Sequence, residues 1–118
     1  MEEKTKILDA RIHNLRFWVT DCDPMLLKVR FQNYLKKVGF VILNCSDHHF
    51  PVQGYTALWM LAESHLAIHT FPDKGYTYVE LSSCNQGKSE HFKKLIEESD
   101  LQVNWNGEGI EICKPTEN

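Results

Sequence analysis

Three strand-like segments follow one another closely in the middle of this chain, and they constrain its fold more than any other feature. Apolar residues dominate or alternate over residues 55–62, 65–71 and 76–81, and short runs of this kind predict β-strands. Pro72-Asp73-Lys74-Gly75 predicts a hairpin turn between the last two segments. Because such short connections join antiparallel neighbours, we expect an antiparallel meander.

Helices are expected before and after this meander in the sequence. Asp23-Pro24 provides an N-cap followed by proline at the first helical position, and apolar residues recur at helical spacing until Val38. Gly39 can then end this helix in a left-handed conformation. A second amphipathic helix is expected over residues 89–99.

The remaining segments complete an α+β pattern. We expect a loop over residues 46–54, which are polar and contain a proline. Strands are expected over residues 8–20, 40–43, 101–105 and 110–113. The first should have a bulge or break near His13 and Asn14, and the last two should flank an Asn106-Gly107 turn. This order predicts one domain over residues 1–118, a two-layer sandwich with an antiparallel sheet and two helices on one face.

The bare face of that sheet should also be covered. Residues 55–60, which include Trp59, are apolar enough for burial on both faces. We therefore expect the bare face to pack against a second protomer, giving a homodimer with α/β/β/α layers.

Composition narrows the function classes. Of 118 residues, 42% are hydrophobic and 25% are charged, which is ordinary for a globular domain. The net charge of -3, without a basic stripe, argues against a nucleic-acid partner. The longest apolar run, residues 55–62, is far short of the ~20 residues that span a bilayer, and no signal peptide opens the sequence. We therefore expect no membrane association and a cytoplasmic location.

The four cysteines are expected to be reduced thiols. They are widely spaced, at Cys22, Cys45, Cys84 and Cys113, and no secretory signal accompanies them. None belongs to a C-x-x-C pair, so no structural zinc site is expected.

Polar residues interrupt the apolar sheet region at Glu63-Ser64-His65 and at His69. One interpretation is a turn at Ser64, with the histidines on the solvent side of a strand. A shared metal ion is excluded, because His65 and His69 would stand roughly 13 Å apart along a strand. A serine hydrolase is disfavoured because no Gly-x-Ser-x-Gly motif is present.

Four features together resemble a known family. Gly54-Tyr55-Thr56, Glu63-Ser64-His65, Ile68-His69-Thr70 and Cys84 are similar to blocks of the bacterial and archaeal S-adenosylmethionine decarboxylase proenzymes. The resemblance is strongest over residues 50–84. It implies a self-processing, pyruvoyl-dependent carboxy-lyase that converts S-adenosylmethionine to decarboxylated S-adenosylmethionine, the aminopropyl donor of spermidine biosynthesis, without a metal or external cofactor.

The resemblance also implies how the pyruvoyl group forms. Ser64 would attack the carbonyl of Glu63 in an N-to-O acyl shift, and β-elimination followed by hydrolysis would leave a pyruvoyl group at residue 64. The products would be a β chain of residues 1–63 and an α chain of residues 64–118. His69 would act as acid and base in this processing, and Thr56 stands in place of a family serine.

Other residues are implied in turnover. Cys84 would return a proton to the substrate carbanion, although a buried structural thiol is the alternative. Phe50 would stack on adenine or simply anchor its loop. Asp73 would bond the ribose hydroxyls in place of a family glutamate, or merely belong to the turn. Phe71 or Tyr76 would face the sulfonium.

Two further hypotheses stay open because the sequence departs from the family pattern over residues 9–14, at Asp73 and beside Cys84, where Ser82, Ser83 and Asn85 stand. The substrate could be arginine or ornithine. The chain could also be a non-catalytic regulatory homologue, although the intact Glu63-Ser64-His65 argues against this.

The distance between Ser64 and His69 gives one further prediction. About 16 Å would separate these residues on a straight strand, so a chain reversal at residues 63–65 is expected to bring them together.

Overall fold

The computed structural model of the protein describes residues 11–105. These form six strands and two helices in the following order: β1 (His13–Val19), α1 (Pro24–Val38), β2 (Ile42–His49), β3 (Tyr55–Leu61), β4 (Ser64–Phe71), β5 (Tyr76–Ser83), α2 (Gln86–Glu97) and β6 (Val103–Asn104).

The strands make one sheet in the order β2-β3-β4-β5-β1-β6, and each neighbouring pair is antiparallel. One face of the sheet and both helices share a single core, which includes Phe17, Trp59, Leu66, Phe31 and Phe92. The predicted α+β sandwich, with an antiparallel sheet and both helices on one face, is confirmed.

Helix α1 has the bounds that its capping residues predict. The Asp23 side chain accepts hydrogen bonds from the backbone N–H groups of Met25 and Leu26, at 3.1 and 3.3 Å. Gly39 ends the helix with φ of 100°, which is the left-handed region that glycine adopts without strain. The buried positions Leu27, Phe31 and Leu35 form the stripe that faces the sheet.

Helix α2 begins three residues before the predicted start at residue 89. Asn85 is the N-cap, and its side chain accepts a hydrogen bond from the Lys88 N–H at 2.9 Å. The prediction was wrong because Gln86-Gly87-Lys88 contribute no apolar position to the helical repeat. This start places the first turn of α2 directly after Cys84.

The polar segment after residue 43 is strand as far as His49, so the predicted loop over residues 46–54 is present only over residues 50–54. The predicted strand over residues 40–43 begins at Ile42, continues past its expected end and is not buried throughout. Strand β2 extends to His49, which pairs with Tyr55, while Val41 and Leu43 are more than half exposed. Strand β2 lies at the edge of the sheet, where polar residues stay solvated and still form the ladder with β3.

A hydrogen-bonded group attaches this polar edge to the core. The Tyr55 hydroxyl donates to Asp47 Oδ2 at 2.7 Å, and Lys28 of α1 donates to the same oxygen at 3.0 Å. These two donors, Tyr55 first, lower the pKa of Asp47. Burial and the neighbouring carboxylate raise the pKa of Tyr55. The start of β3 is therefore held in place beside Thr56.

The ends of the sheet are shorter than predicted. Strand β1 begins at His13 and keeps a continuous register with β5, so the expected bulge near His13 and Asn14 is absent from the described part of the strand. Strand β6 contains only Val103 and Asn104. The predictions for residues 8–10, 106–107 and 110–113 lie outside the described residues.

The face of the sheet opposite the helices is open in a single chain. Leu58 and Met60 are about half exposed there, at 46% and 56%. One protomer therefore has the bare face expected from the sequence, and its burial by a second protomer stays a prediction. Neither helix within residues 11–105 has the length and apolar character needed to span a membrane.

Candidate active site

The Glu63–Ser64 peptide lies at a strained turn. Leu61 at the end of β3 pairs with Ser64 at the start of β4, so only Ala62 and Glu63 connect the two strands. Glu63 has φ of 65°, and within residues 11–105 it is the only residue other than glycine with a positive φ. A side chain in this left-handed region costs on the order of 1 kcal/mol. The turn therefore stores strain next to Ser64.

Ser64 and Glu63 contact the end of β5. The Ser64 hydroxyl donates to Ser83 Oγ at 2.7 Å. Cys84 Sγ lies 3.5 Å from the Glu63 carbonyl oxygen and 3.7 Å from its Oε1. We call Glu63, Ser64, Ser83 and Cys84 the hairpin cluster. It places a thiol beside the Glu63 carbonyl and bonds the hydroxyl of the next residue to Ser83.

The hairpin cluster is partly open to solvent. Glu63 and Cys84 are exposed, Ser64 is half-buried, and Ser83 is only 2% exposed. The predicted alternative of Cys84 as a buried structural thiol is therefore wrong. Three cysteines of the described chain, Cys22, Cys45 and Cys84, are free thiols; Cys113 lies outside the described residues.

The other candidate residues lie together at the far end of β3 and β4. Phe50, Thr56, His69, Phe71 and Asp73 line one cleft with a volume of about 340 Å³. We call these five residues the cleft cluster. The sequence had assigned them separate roles in processing and substrate binding, and the fold brings all of them to one place.

Gly54 shapes this cleft. Its φ is 109°, and the Gly54 carbonyl accepts a hydrogen bond from the Phe50 N–H at 2.9 Å, which closes the loop. A Cβ at this position would lie 3.7 Å from the Phe50 ring and 3.8 Å from the Thr70 carbonyl. Both the backbone angle and the packing therefore favour glycine.

His69 is held by a hydrogen bond and by burial. Its Nδ1 lies 3.0 Å from Thr56 Oγ1, its cross-strand partner. Burial lowers the pKa of His69, and the charge of Glu80 opposes this with a smaller effect. The imidazole is therefore mainly neutral near pH 7, which suits a group that accepts a proton.

Tyr78 and Glu80 were missed by the sequence interpretation and lie beside His69. The Tyr78 ring stacks near the imidazole, with centroids 6.4 Å apart and planes 16° apart. Its hydroxyl donates to Glu80 Oε1 at 3.0 Å, and burial, followed by this bond, raises the pKa of Tyr78 to about 12. Alternation along β5 places both residues on the open face with His69.

One of the two aromatic candidates for the sulfonium wall does not line the cleft. Phe71 lines it and is 37% exposed. Tyr76 instead packs edge-on against Trp18, with ring centroids 4.8 Å apart. The structure therefore supports Phe71 alone as a residue of the cleft cluster.

The hairpin and cleft clusters do not meet within one chain. The predicted reversal exists as the β3–β4 turn, but Ser64 is already the first residue of the extended strand β4. His69 is five positions further, so roughly 16 Å along the strand separates the two, and their side chains project from opposite faces. The prediction that the reversal brings Ser64 to His69 was wrong, because the chain runs straight after the turn.

Neither cluster groups the side chains that a metal centre needs. Within residues 11–105, no three His, Cys, Asp or Glu side chains converge as metal ligands would. His65 and His69 point to the same face four positions apart on β4, too far apart to share one ion.

Comparison with known proteins gives the family. The S-adenosylmethionine decarboxylase family model matches residues 20–102. An S-adenosylmethionine decarboxylase proenzyme from Parasynechococcus marenigrum is 40% identical over 70 residues, which cover 54% of this chain and 55% of the relative. A proenzyme of the same name from Methanococcus vannielii is 37% identical over 54 residues, covering 46% of this chain and 44% of the relative.

A solved structure supports the fold. The adenosylmethionine decarboxylase of Aquifex aeolicus superposes with a TM-score of 0.58 at 20% identity, covering 81% of this chain and 89% of that one. The chain spans about half the length of the curated relatives that it matches. With the family model matching most of its length, the chain belongs to the S-adenosylmethionine decarboxylase family.

Proposed function

We propose that this chain is a proenzyme that cleaves itself between Glu63 and Ser64. The products are a β chain of residues 1–63 and an α chain of residues 64–118 whose first residue carries a pyruvoyl group. The observation that carries the proposal is the left-handed Glu63 immediately before Ser64, with Cys84 Sγ 3.5 Å from the Glu63 carbonyl oxygen. The naming of the relatives as proenzymes supports it.

The hairpin cluster suits the first step. Ser64 Oγ forms a bond to the carbonyl carbon of Glu63, the C–N bond breaks, and the hydroxyl proton passes to the freed nitrogen. Negative charge develops on the Glu63 carbonyl oxygen, and the Cys84 thiol is a weak donor placed at that oxygen. Relief of the backbone strain at Glu63 favours the same step.

The second step, β-elimination of the ester, removes a proton from the Ser64 α-carbon, and the hairpin cluster contains no histidine to accept it. A neutral His69 is the suitable base, but in one chain it lies at the other end of β4. A homodimer resolves this conflict, because a two-fold axis would place His69 and Thr56 of a second protomer against the hairpin cluster of the first.

The open face offers the contact surface for such a dimer. Leu58, Met60 and Phe71 are exposed on it, and exposed apolar residues grouped on one sheet face favour association. Packing two open faces together gives the α/β/β/α layers expected from the sequence. Glu63 and Cys84 are exposed at the end of the sheet, where a second protomer can reach them.

The residues present fit the pyruvoyl group, because Ser64 is the residue from which it forms and an exposed thiol stands beside it. When present, this group supplies a carbonyl that bonds to a substrate amine and withdraws electrons as carbon dioxide leaves. In this proposal, the exposed Cys84 thiol gives a proton to the substrate α-carbon. No metal or external cofactor enters this scheme.

We further propose that the substrate is S-adenosylmethionine, giving the aminopropyl donor used in spermidine synthesis. The cleft cluster offers Phe50, 47% exposed, as a stacking surface for adenine, Asp73 as an acceptor for ribose hydroxyls, and Phe71 as a wall for the sulfonium. The names of the relatives give no support to arginine or ornithine.

Mass spectrometry of the purified protein tests the cleavage. Two fragments divided between Glu63 and Ser64, the second with a carbonyl in place of its amino terminus, are expected. Ser64→Ala should stay intact, while Ser46→Ala, which removes an exposed hydroxyl from the edge strand, should cleave normally. An intact wild-type mass would favour the non-catalytic regulatory homologue.

Carbon dioxide release tests the substrate. The cleaved protein is expected to release carbon dioxide from S-adenosylmethionine and not from arginine or ornithine. Turnover of either amino acid in preference would refute the substrate assignment and leave the cleavage proposal standing.

A further inference from the structure

Ser83 is a buried polar residue with an unusual set of neighbours. It lies directly opposite Ser64 in the β4–β5 register, and only 2% of it is exposed. Its Oγ accepts hydrogen bonds from the Ser64 hydroxyl at 2.7 Å and from the Asn85 N–H at 3.0 Å. Both acceptor positions of the Ser83 hydroxyl are therefore occupied.

We propose that Ser83 is a positioning residue for self-cleavage, which holds the Ser64 hydroxyl in the rotamer that attacks Glu63; this rests on the proposed function. Asn85 makes the acceptor rigid, because it is the N-cap of α2 and its own side chain is bonded to the Lys88 N–H. The Ser83 oxygen is thus fixed from the helix side and bonded to Ser64 from the strand side.

The bond has a specific consequence for the acyl shift. A free serine side chain exchanges among three staggered rotamers, and a single strong acceptor selects one of them. Because the Ser64 hydroxyl donates its hydrogen to Ser83, the lone pairs of Ser64 Oγ stay available for bonding to the Glu63 carbonyl carbon. Ser83 exchanges no bond in this step and acts only through Ser64.

A purely structural role is the competing explanation, since Ser83 also links β5 to α2. The chain provides a matched control in Ser89, a serine of α2 that is 3% exposed and whose buried Oγ has no hydrogen-bond partner among the described residues. Ser89→Ala removes an equally buried hydroxyl without touching the hairpin cluster.

The experiment follows cleavage of newly synthesised full-length chain over time, by mass spectrometry, with thermal unfolding of each variant. Ser83→Ala is expected to cleave about tenfold more slowly than wild type, the effect of losing one hydrogen bond in a reacting group. Ser83→Thr keeps the hydroxyl and should restore the rate to within about twofold. Ser89→Ala should cleave at the wild-type rate.

Hydroxylamine identifies the step, because it cleaves esters and leaves amides intact. If Ser83 positions Ser64, Ser83→Ala stays slow in hydroxylamine, since the ester has not formed. Rapid release of fragments from Ser83→Ala in hydroxylamine would overturn the proposal, as would a wild-type rate in Ser83→Ala or an equally slow Ser83→Thr.

Two further results keep the test decisive. If Ser83→Ala does not fold, Ser83→Cys replaces it, because cysteine keeps the shape of serine while its larger sulfur is a weaker acceptor. A rate equal to wild type would then overturn the proposal. Absence of cleavage in wild type would refute the proposed function itself, which is a different outcome.

Discussion

The hairpin cluster and the cleft cluster lie at opposite ends of β4 and differ in kind. The hairpin cluster has a strained backbone at Glu63, a thiol 3.5 Å from the Glu63 carbonyl oxygen, and a Ser64 hydroxyl bonded to Ser83. The cleft cluster has aromatic walls and a partly buried histidine bonded to a threonine. The hairpin cluster therefore offers a hydroxyl and a thiol, whereas the cleft cluster offers an imidazole between aromatic side chains.

Under the proposed function, each cluster supplies part of one site. A β-strand is rigid over eight residues, so β4 keeps Ser64 and His69 apart however the side chains rotate. The proposed homodimer would bring the two clusters together across two molecules. The following experiments distinguish a site shared by two protomers from one confined to a single chain.

The largest effect is expected from His69→Ala. Loss of a proton-transfer group should slow self-cleavage by about 100-fold or more, measured as the intact fraction of newly made chain over time. Hydroxylamine should release the fragments of this variant, because the ester forms before the histidine is needed. Cleavage at the wild-type rate would remove His69 from the processing step.

Mixing variants tests the shared site directly. Co-expressed Ser64→Ala and His69→Ala chains can form mixed dimers in which one intact Ser64 faces one intact His69. Cleavage of the His69→Ala chains alone is then expected, and distinct mass tags identify which chain was cut. If no cleavage accompanies confirmed mixed dimers, the two clusters do not act across an interface.

Glu63→Gly tests the strain in the hairpin cluster. Glycine adopts the left-handed conformation freely, so the uncleaved chain should be stabilised by about 1 kcal/mol and cleave several-fold more slowly. Glu63→Ala keeps the strain and loses the same carboxylate, so the comparison of the two variants isolates the backbone effect. Equal cleavage rates in both would contradict a contribution from strain.

The pH dependence tests the environment of His69. Its pKa lies below the ordinary 6.5 because burial disfavours the imidazolium, so cleavage should persist at mildly acidic pH and fall only as pH passes through the lowered value. The unfolded chain binds this proton more readily, so the free energy of unfolding should also decrease as pH falls from the ordinary pKa of histidine to the lowered pKa of His69. Glu80→Gln should move the acid limb to lower pH, because the charge that favours imidazolium is removed.

Phe50→Ala should have the smallest effect and should be confined to the cleft cluster. Loss of a stacking ring is expected to raise KM for S-adenosylmethionine by about fivefold, corresponding to ~1 kcal/mol. Self-cleavage should be unchanged, because the Phe50 ring has no group that transfers a proton. A Phe50→Ala chain that folds but cleaves slowly would show that the two clusters are not separable in this way.

Much of the fold was predictable because its signals are local. The caps Asp23 and Gly39 delimit α1, and Pro72-Asp73-Lys74-Gly75 delimits the β4–β5 hairpin. Strand β2 was missed because an edge strand needs no apolar face, so its composition is that of a loop. The predicted start of helix α2 was too late in the sequence because the first turn of the helix is polar.

The residues of the candidate site could be predicted from the sequence, but their arrangement in space could not. The motifs around Thr56, Ser64, His69 and Cys84 carried the family resemblance and the chemistry that it implies, but nothing in their spacing showed that β4 separates them into two groups. Ser83 and Tyr78 carried no motif and could be found only from the register of β4 with β5.

The sequence by itself determined the element order, the nucleophile candidate and the family resemblance, because these depend on residue types and short spacings. Only the tertiary structure decided that Ser64 contacts Ser83 and Cys84, while His69 contacts Thr56 in a different cluster. The physical reason is that strand pairing brings together residues from distant parts of the chain and, through the rigidity of the extended backbone, keeps nearby residues such as Ser64 and His69 apart.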